Sequence, residues 1–451
     1  MQSTTYRQLL SNNPNFRRLW LGQVISELGT WFSFIAELGL VRLISGSTWA
    51  TTGLLVARLL PFLLAAPFAG VFVDRHSRKR ILIVTDLLRA LVALLYVAAG
   101  ALRSAELVII GSAIMSLLTM FFEGAKNAAI PNLTSGRELL TANVLMFSLR
   151  FLQFTLGSAL GGLTAAQFGY NAAFIVNSLS FVASALCIVA IPAEAMRKAA
   201  APNEAKVIAA TSAEALANEP IAGSEQPIAA RNHFLTDVRE GLRYIRSTSF
   251  VRAVIMVNIC WATGGGMSQI VFDRIGGHVF NSTGDRGDWN VAMLFTAAGA
   301  GVFLGMLLSR RVSAWINDEQ RAGRFIGWSL LAHGILFAVG GWMPSLLTMS
   351  IWIAASRLVL GAEFGVQETM MMRVIPDDYR GRVFTTDRSL ELATMALTTI
   401  LAGWMLGYFS PRVIMITSGL LSASPGLFWL LAMWAARFSV PARAVRESYG
   451  D

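Results

Sequence analysis

The sequence predicts an all-α membrane protein whose twelve transmembrane helices form two six-helix bundles. Three observations predict it. The 451 residues are 55% hydrophobic and only 14% charged, whereas a soluble domain carries about 25% charged residues. Apolar runs long enough to cross a hydrocarbon core of ~30 Å, which takes about 20 residues, recur twelve times. The basic residues are sorted by side: about 27 Lys and Arg fall in loops on the side of the N-terminus, about 4 on the other, and about 6 inside helices.

The spans are placed at 18–44, 50–73, 81–101, 106–124, 140–166, 171–191, 250–271, 289–309, 325–342, 346–366, 386–408 and 412–436. Odd spans run outward and even spans inward, and both termini are expected in the cytoplasm of a cell with this protein in its inner (plasma) membrane. Residues 1–15 are polar and the first apolar run is long enough to stay in the bilayer, so no cleaved signal is expected. The longest interruption separates an N-terminal unit, 1–191, from a C-terminal unit, 250–451. Between them, 192–249 reads as a cytoplasmic linker: 193–231 is rich in Ala, Glu and Pro without apolar periodicity. Phe234, Val238, Leu242 and Ile245 then recur at helical spacing, with Arg239, Arg243 and Arg246 mostly off that stripe. That pattern suits an amphipathic helix on the membrane surface.

Composition also excludes. The net charge of +10 follows the loop asymmetry, so no nucleic-acid partner is expected. Cys187 and Cys260 both lie in apolar helices, and the four histidines are scattered. No disulfide, metal site or cofactor is predicted, and no phosphate-binding glycine turn appears. No nucleophile, base and orienting group converge on one stretch, so an enzyme is not expected.

The turn after span 2 is the most informative loop. Gly70-Val71-Phe72-Val73-Asp74-Arg75-His76-Ser77-Arg78-Lys79-Arg80 joins two apolar runs through a tight charged hairpin. Cationic side chains cannot sit in hydrocarbon, so this turn lies in water or headgroups. The spacing Gly70-x-x-x-Asp74-Arg75-x-x-Arg78-Lys79 resembles the loop 2–3 signature of the major facilitator superfamily, with Ser77 where Gly is usual. Pseudo-repetition agrees with a two-bundle plan: Ile130-Pro131 follows span 4 and Ile375-Pro376 follows span 10, and Gly305-x-x-x-x-Arg310-Arg311 is a degraded copy of the first motif.

Further stretches are similar to one branch of that superfamily, the exporters related to enterobactin and macrolide efflux proteins. They are Phe16-Arg17-Arg18-Leu19-Trp20-Leu21-Gly22-Gln23, Phe121-Phe122 through Ile130-Pro131, Thr236 to Arg246, and Ile375 through Phe384. The resemblance implies the major facilitator fold. It also implies that the 2–3 loop is a latch, with Asp74 facing the start of span 11 and the arginines pairing with nearby acids. A carboxylate suits a helix N-terminus. The expected cytoplasmic gate comprises Gly70, Asp74, Arg75, Arg78, Lys79, Asp86, Arg89, Glu123, Arg380, Arg382, Asp387 and Arg388, with Glu391 beside them. Gly157-Ser158-Ala159-Leu160-Gly161-Gly162 resembles the superfamily's antiporter signature, with Ser158 replacing its Pro.

An ionisable group inside a membrane helix costs about 2.5–3.5 kcal/mol even on the mildest scale. Depth pairs Glu37 of span 1 with Arg58 of span 2, and Glu27 of span 1 with Arg150 of span 5. Each pair is either a structural ion pair or a proton-coupling element, with Glu27 the first choice for a protonatable group. Arg357, near mid-depth in span 10, has no acid at its level, which suggests a wet cavity and contact with an anionic substrate group. Gly264, Gly265 and Gly266 each lack helix propensity by ~1 kcal/mol, which predicts a bend or unwound turn facing the cavity. By resemblance, spans 1, 4, 7 and 10 line that cavity, with Gln23, Trp31, Phe34, Met115, Thr119, Asn258, Trp261, Met267, Gln269, Trp352 and Arg357 as candidates. Aromatic and Met lining suits bulky amphipathic solutes.

The functional expectation is a monomeric secondary exporter of mid-sized amphipathic solutes of drug, macrolide or siderophore type, working by alternating access with proton coupling and in contact with membrane lipid. Two alternatives stand beside it: a lipid or lysophospholipid flippase of the same fold, with Arg357 taking a phosphate, and a non-transporting membrane sensor or scaffold.

Overall fold

The computed structural model describes residues 5–196, 243–281, 287–316 and 319–435. A short helix α1 (Tyr6–Asn12) is closed at its start by a Thr5/Gln8 capping box. Six long helices follow: α2 (Pro14–Ser45), α3 (Thr48–Arg75), α4 (Arg78–Ala101), α5 (Ala105–Leu133), α6 (Gly136–Phe168) and α7 (Tyr170–Val189). Six more come after the linker: α8 (Ser249–Arg274), α9 (Asp288–Trp315), α10 (Glu319–Gly340), α11 (Leu346–Val374), α12 (Asp377–Met405) and α13 (Pro411–Trp434). These are spans 1 to 12 in order. Most of the linker and of the expected surface helix falls outside the described residues; Arg243–Ser247 is helical.

Eleven of the twelve are long and apolar enough to cross a membrane. The exception, α12, has the length, 29 residues, but its first half carries Arg380, Arg382, Asp387, Arg388 and Glu391. It begins nine residues before the predicted span because a helix continues into water without any apolar signal. α5 and α11 likewise run on past their predicted ends, α5 through Pro131.

Within the first six helices, α2 packs on α6 and α7, α3 on α5, and α4 on α5 and α7; within the second six, α8 packs on α12 and α13, α9 on α11, and α10 on α11 and α13. Two seams join the sets, α6 with α9 and α3 with α12. Small residues set the close approaches. Gly301 and Gly305 of α9 mesh with Gly361 and Gly365 of α11, so that a Cβ at any of them would strike the opposite helix. Gly162 of α6 meets Ala292 of α9, and Gly403 of α12 meets Thr52 of α3.

No unwound turn occurs at Gly264–Gly266. α8 runs as unbroken α-helix through all three. Gly264 admits Ser418 and Ser422 of α13, and Gly266 admits Met395 and Thr398 of α12. Ser418 Oγ donates to Gly264 O (2.8 Å) and Thr399 Oγ1 to Gly266 O (2.8 Å). Close helix contact, not a bend, is what the missing side chains allow. The irregular turn lies further on, a π-helical segment at Ile275–Val279.

Candidate functional site

Taking the basic-loop end as the inner one, the described contacts between the two sets gather toward the outer end. Arg42, in the last turn of α2, reaches Asp273 at the end of α8 and Asp288 at the start of α9, the latter at 2.5 Å. Tyr170 Oη donates to the other Asp288 oxygen at 2.8 Å. All four are buried. Asp288 opens a helix, where the partial positive charge of the amides favours a carboxylate. Arg274 adds a second crossing, donating to Thr51 Oγ1 at 3.0 Å and lying 3.5 Å from Gly46 O. Gly277 lies flat against the Arg42 side chain, and Gly39 leaves the room that Asp288 and Tyr170 fill.

Beneath this outer lock runs a belt of rings contributed by both sets. Trp31 lies tilted against Phe154 (4.3 Å between centroids) and Phe34 meets Phe295 edge-on (5.3 Å). Phe295 meets Phe272 (5.3 Å), which reaches Phe337 (6.0 Å). Each end of the belt carries a guanidinium: Arg58 over Phe34 at 4.5 Å and Arg357 over Phe337 at 5.1 Å. Arg58 is paired with Glu37 at 3.0 Å. Glu37 also accepts from Ser33 (3.0 Å) and Ser112 (2.8 Å), so its oxygens are well supplied inside the bundle.

The inner end is different. Asp74 is exposed, and a Cβ at Gly70 or Gly381 would meet nothing. The 2–3 turn is held by its own set: Arg78 donates to Ala128 O (2.9 Å), and Lys79 to Val189 O (2.8 Å) and Ile191 O (2.6 Å). Among the described residues, Arg75, Arg78 and Lys79 make no ion pair with the inner acids in this conformation. Asp86 takes Arg89 from its own helix, Glu123 takes Lys126, and Glu391 takes Arg388. Arg89 is also sandwiched by Phe122 (4.1 Å) and Phe181 (4.6 Å). Arg380 turns back to Ile375 O at 3.0 Å, while Arg75 and Arg382 flank these turns in sequence.

The Glu27–Arg150 pair is likewise not formed. The stripe of α2 that meets α6 runs through Val24, Leu28, Trp31 and Phe32. Gln23 and Glu27 lie one position off it, on the face shared with Phe34, and Gln23 Nε2 donates to Glu27 at 2.9 Å. Arg150 is exposed. Equal depth did not fix the direction around the helix.

The cavity candidates divide. Phe34, Met115 and Met267 are buried in the shared core. Trp352 sets its Cβ against Gly340 of α10. Thr119 caps its own helix at Met115 O (2.8 Å). Trp261 and Gln269 are half-buried on α8. Asn258 joins three helices, donating to Asp387 (2.9 Å) and accepting from Gln367 (2.8 Å). The outer lock was missed. Its one sequence signal is that cations are scarce on the outer side, which makes Arg42 and Arg274 stand out.

Twelve long helices in two sixes, joined by buried contacts toward one end over a belt of rings, have the architecture of the major facilitator fold. Comparison with known proteins agrees. Residues 10–217 match the family described as transmembrane secretion effector. Macrolide efflux protein A of Streptococcus pyogenes is 24% identical over 86% of this chain and 88% of its own. The putative bacilysin exporter BacE of Bacillus subtilis (strain 168) is 23% identical over 89% and 90%, and the multidrug efflux pump Tap of Mycolicibacterium fortuitum 25% over 83% and 85%. The fold is shared with the nucleoside transporter NupG (TM-score 0.65, 12% identity, 93% of this chain and 99% of that one). It is shared also with a bacterial homolog of the human lysosomal transporter Spinster, inward-facing and unoccupied (TM-score 0.66, 15% identity, 95% and 98%). The chain has the major facilitator fold and is similar over most of its length to multi-pass membrane transporters.

Proposed function

We propose that this protein exports mid-sized amphipathic solutes from the cytoplasm across the plasma membrane by alternating access, driven by protons. The observation that carries the reading is the asymmetry of the two ends: a buried ion cluster ties them outside, while Asp74 inside is exposed and Gly70 and Gly381 face open space. That is the arrangement expected of an exporter waiting for its solute. The relatives whose names describe macrolide, bacilysin and multidrug efflux support a drug-type cargo. Both termini then lie in the cytoplasm, and Asp74, Arg75 and the start of α12 close the inner mouth in the other half of the cycle.

Glu27 is the coupling carboxyl in this reading. It is half-buried on the inner side of α2 and takes one hydrogen bond, from Gln23. An ionisable group in a membrane helix needs a partner or a wet cavity, and Glu27 makes no ion pair among the described residues. Proteoliposomes with an imposed pH gradient test this. Dye or drug accumulation should follow the gradient, and Glu27→Gln should abolish the dependence. Gradient-driven flux that persists in the variant removes Glu27 from the mechanism.

A further inference from the structure

We infer that Arg357 is a receptor for an anionic group, and that the preferred cargo is an amphipath joining an aromatic or apolar body to a carboxylate or another oxyanion. This deepens the exporter reading and rests on it.

The inference follows from which charges are used. In the outer half of the molecule, Glu37 is taken by Arg58, and Asp273 and Asp288 by Arg42, with Arg274 3.7 Å from Asp273. Arg357 is left over. It is 9% exposed and makes no ion pair or hydrogen bond among the described residues. Its near polar neighbour, His333, is committed to Ser356 at 2.8 Å. Glu363, on the same helix, is six residues nearer the inner end, about 9 Å by helix rise, and does not pair with it. The buried interior under the lock therefore holds one uncompensated positive charge. A guanidinium in that setting costs several kcal/mol unless an anion meets it, and its fork of donors matches a carboxylate or phosphate.

The surroundings say what the anion is attached to. The guanidinium rests on Phe337, the last ring of the belt that runs through Phe272 and Phe295 to Phe34 and Trp31. Here Phe34, Phe272, Phe295 and Phe337 are each 2% exposed and packed in one core, and parting of the helices around them is what offers these rings to a flat apolar body. A solute with its body along the belt and an oxyanion at one end satisfies both features at once. Arg58, at the other end, is neutralised by Glu37 and offers no second anion site.

Three probes sharing one body test this: pyrenebutyrate, its primary amide and pyrenebutylamine. Binding to the full chain in lipid nanodiscs is measured by equilibrium dialysis against empty nanodiscs. Because binding is read without a gradient, the result is independent of proton coupling. The butyrate should bind at least tenfold tighter than the amide, and the amine weakest. Arg357→Gln should collapse that preference, while Arg357→Lys, which keeps the charge, should retain part of it. Equal binding of the three, preference for the amine, no binding by any, or a preference that survives Arg357→Gln each overturns the anion site. Tight butyrate binding without transport in either direction counts against the exporter reading instead and leaves the site standing.

Discussion

Arg42 and Asp288 lie 246 residues apart in the chain and 2.5 Å apart in space. Their contact joins the end of the first helix of one bundle to the start of the second helix of the other. With Asp273 and Tyr170 it closes the end opposite the basic loops. Breaking one partner of a buried ion pair costs about 3–5 kcal/mol, so Arg42→Ala should release the outer seam. A cysteine at Ala292, buried against Gly162 of the other set, reports on it. Its labelling by a membrane-impermeant maleimide should rise several-fold in the Arg42→Ala background, and unchanged labelling would mean that other contacts keep the seam shut.

Gly39 gives the same lock a steric test that leaves every charge in place. A Cβ there would overlap Asp288 Oδ1 and crowd the Tyr170 ring. Gly39→Val should open the outer side as Arg42→Ala does. A variant with wild-type labelling would show that Asp288 and Tyr170 can shift without loosening the seam.

Glu37 and Arg58 brace the Phe34 end of the aromatic belt. Glu37→Gln removes the counter-ion of a half-buried guanidinium and should destabilise the protein by about 3 kcal/mol. Glu37→Gln combined with Arg58→Met should cost less than the single change, because no unpaired charge remains. Thermal unfolding in detergent reads both; a double variant weaker than Glu37→Gln alone would mean that Arg58 holds the fold through Phe34 instead.

Gly264 distinguishes close packing from bending. Overpacking costs about 1–3 kcal/mol, so Gly264→Ala, which drives a methyl into Ser422 and the Ser418 backbone, should lower the melting temperature by several degrees. A helix that needs glycine for flexibility would instead keep its stability and lose transport.

These cases show what the sequence made legible. Hydropathy marked every long helix, because a membrane demands an unbroken apolar run. It misjudged the ends of α5, α11 and α12, where the helix continues in water. Glu37–Arg58 was readable because adjacent helices fix both depth and neighbourhood. Glu27–Arg150 was misread because depth leaves the azimuth open, and the α2 stripe facing α6 passes one position away. Gly264–Gly266 was misread because low helix propensity is common to bends and to close contacts. The outer lock joins residues 118 to 246 positions apart, and no local pattern announces it.

In the proposed cycle the two bundles swing against each other about the belt, so that one mouth closes as the other opens. Spin labels on a background lacking Cys187 and Cys260 measure this directly. One pair sits at the inner end, on Asp74 and Gly381; the other sits at the outer end, on Ser45 and Tyr408, both exposed. Introducing Arg42→Ala should lengthen the outer distance and shorten the inner one in the same sample. Distances that stay fixed, or that lengthen together, would contradict the account.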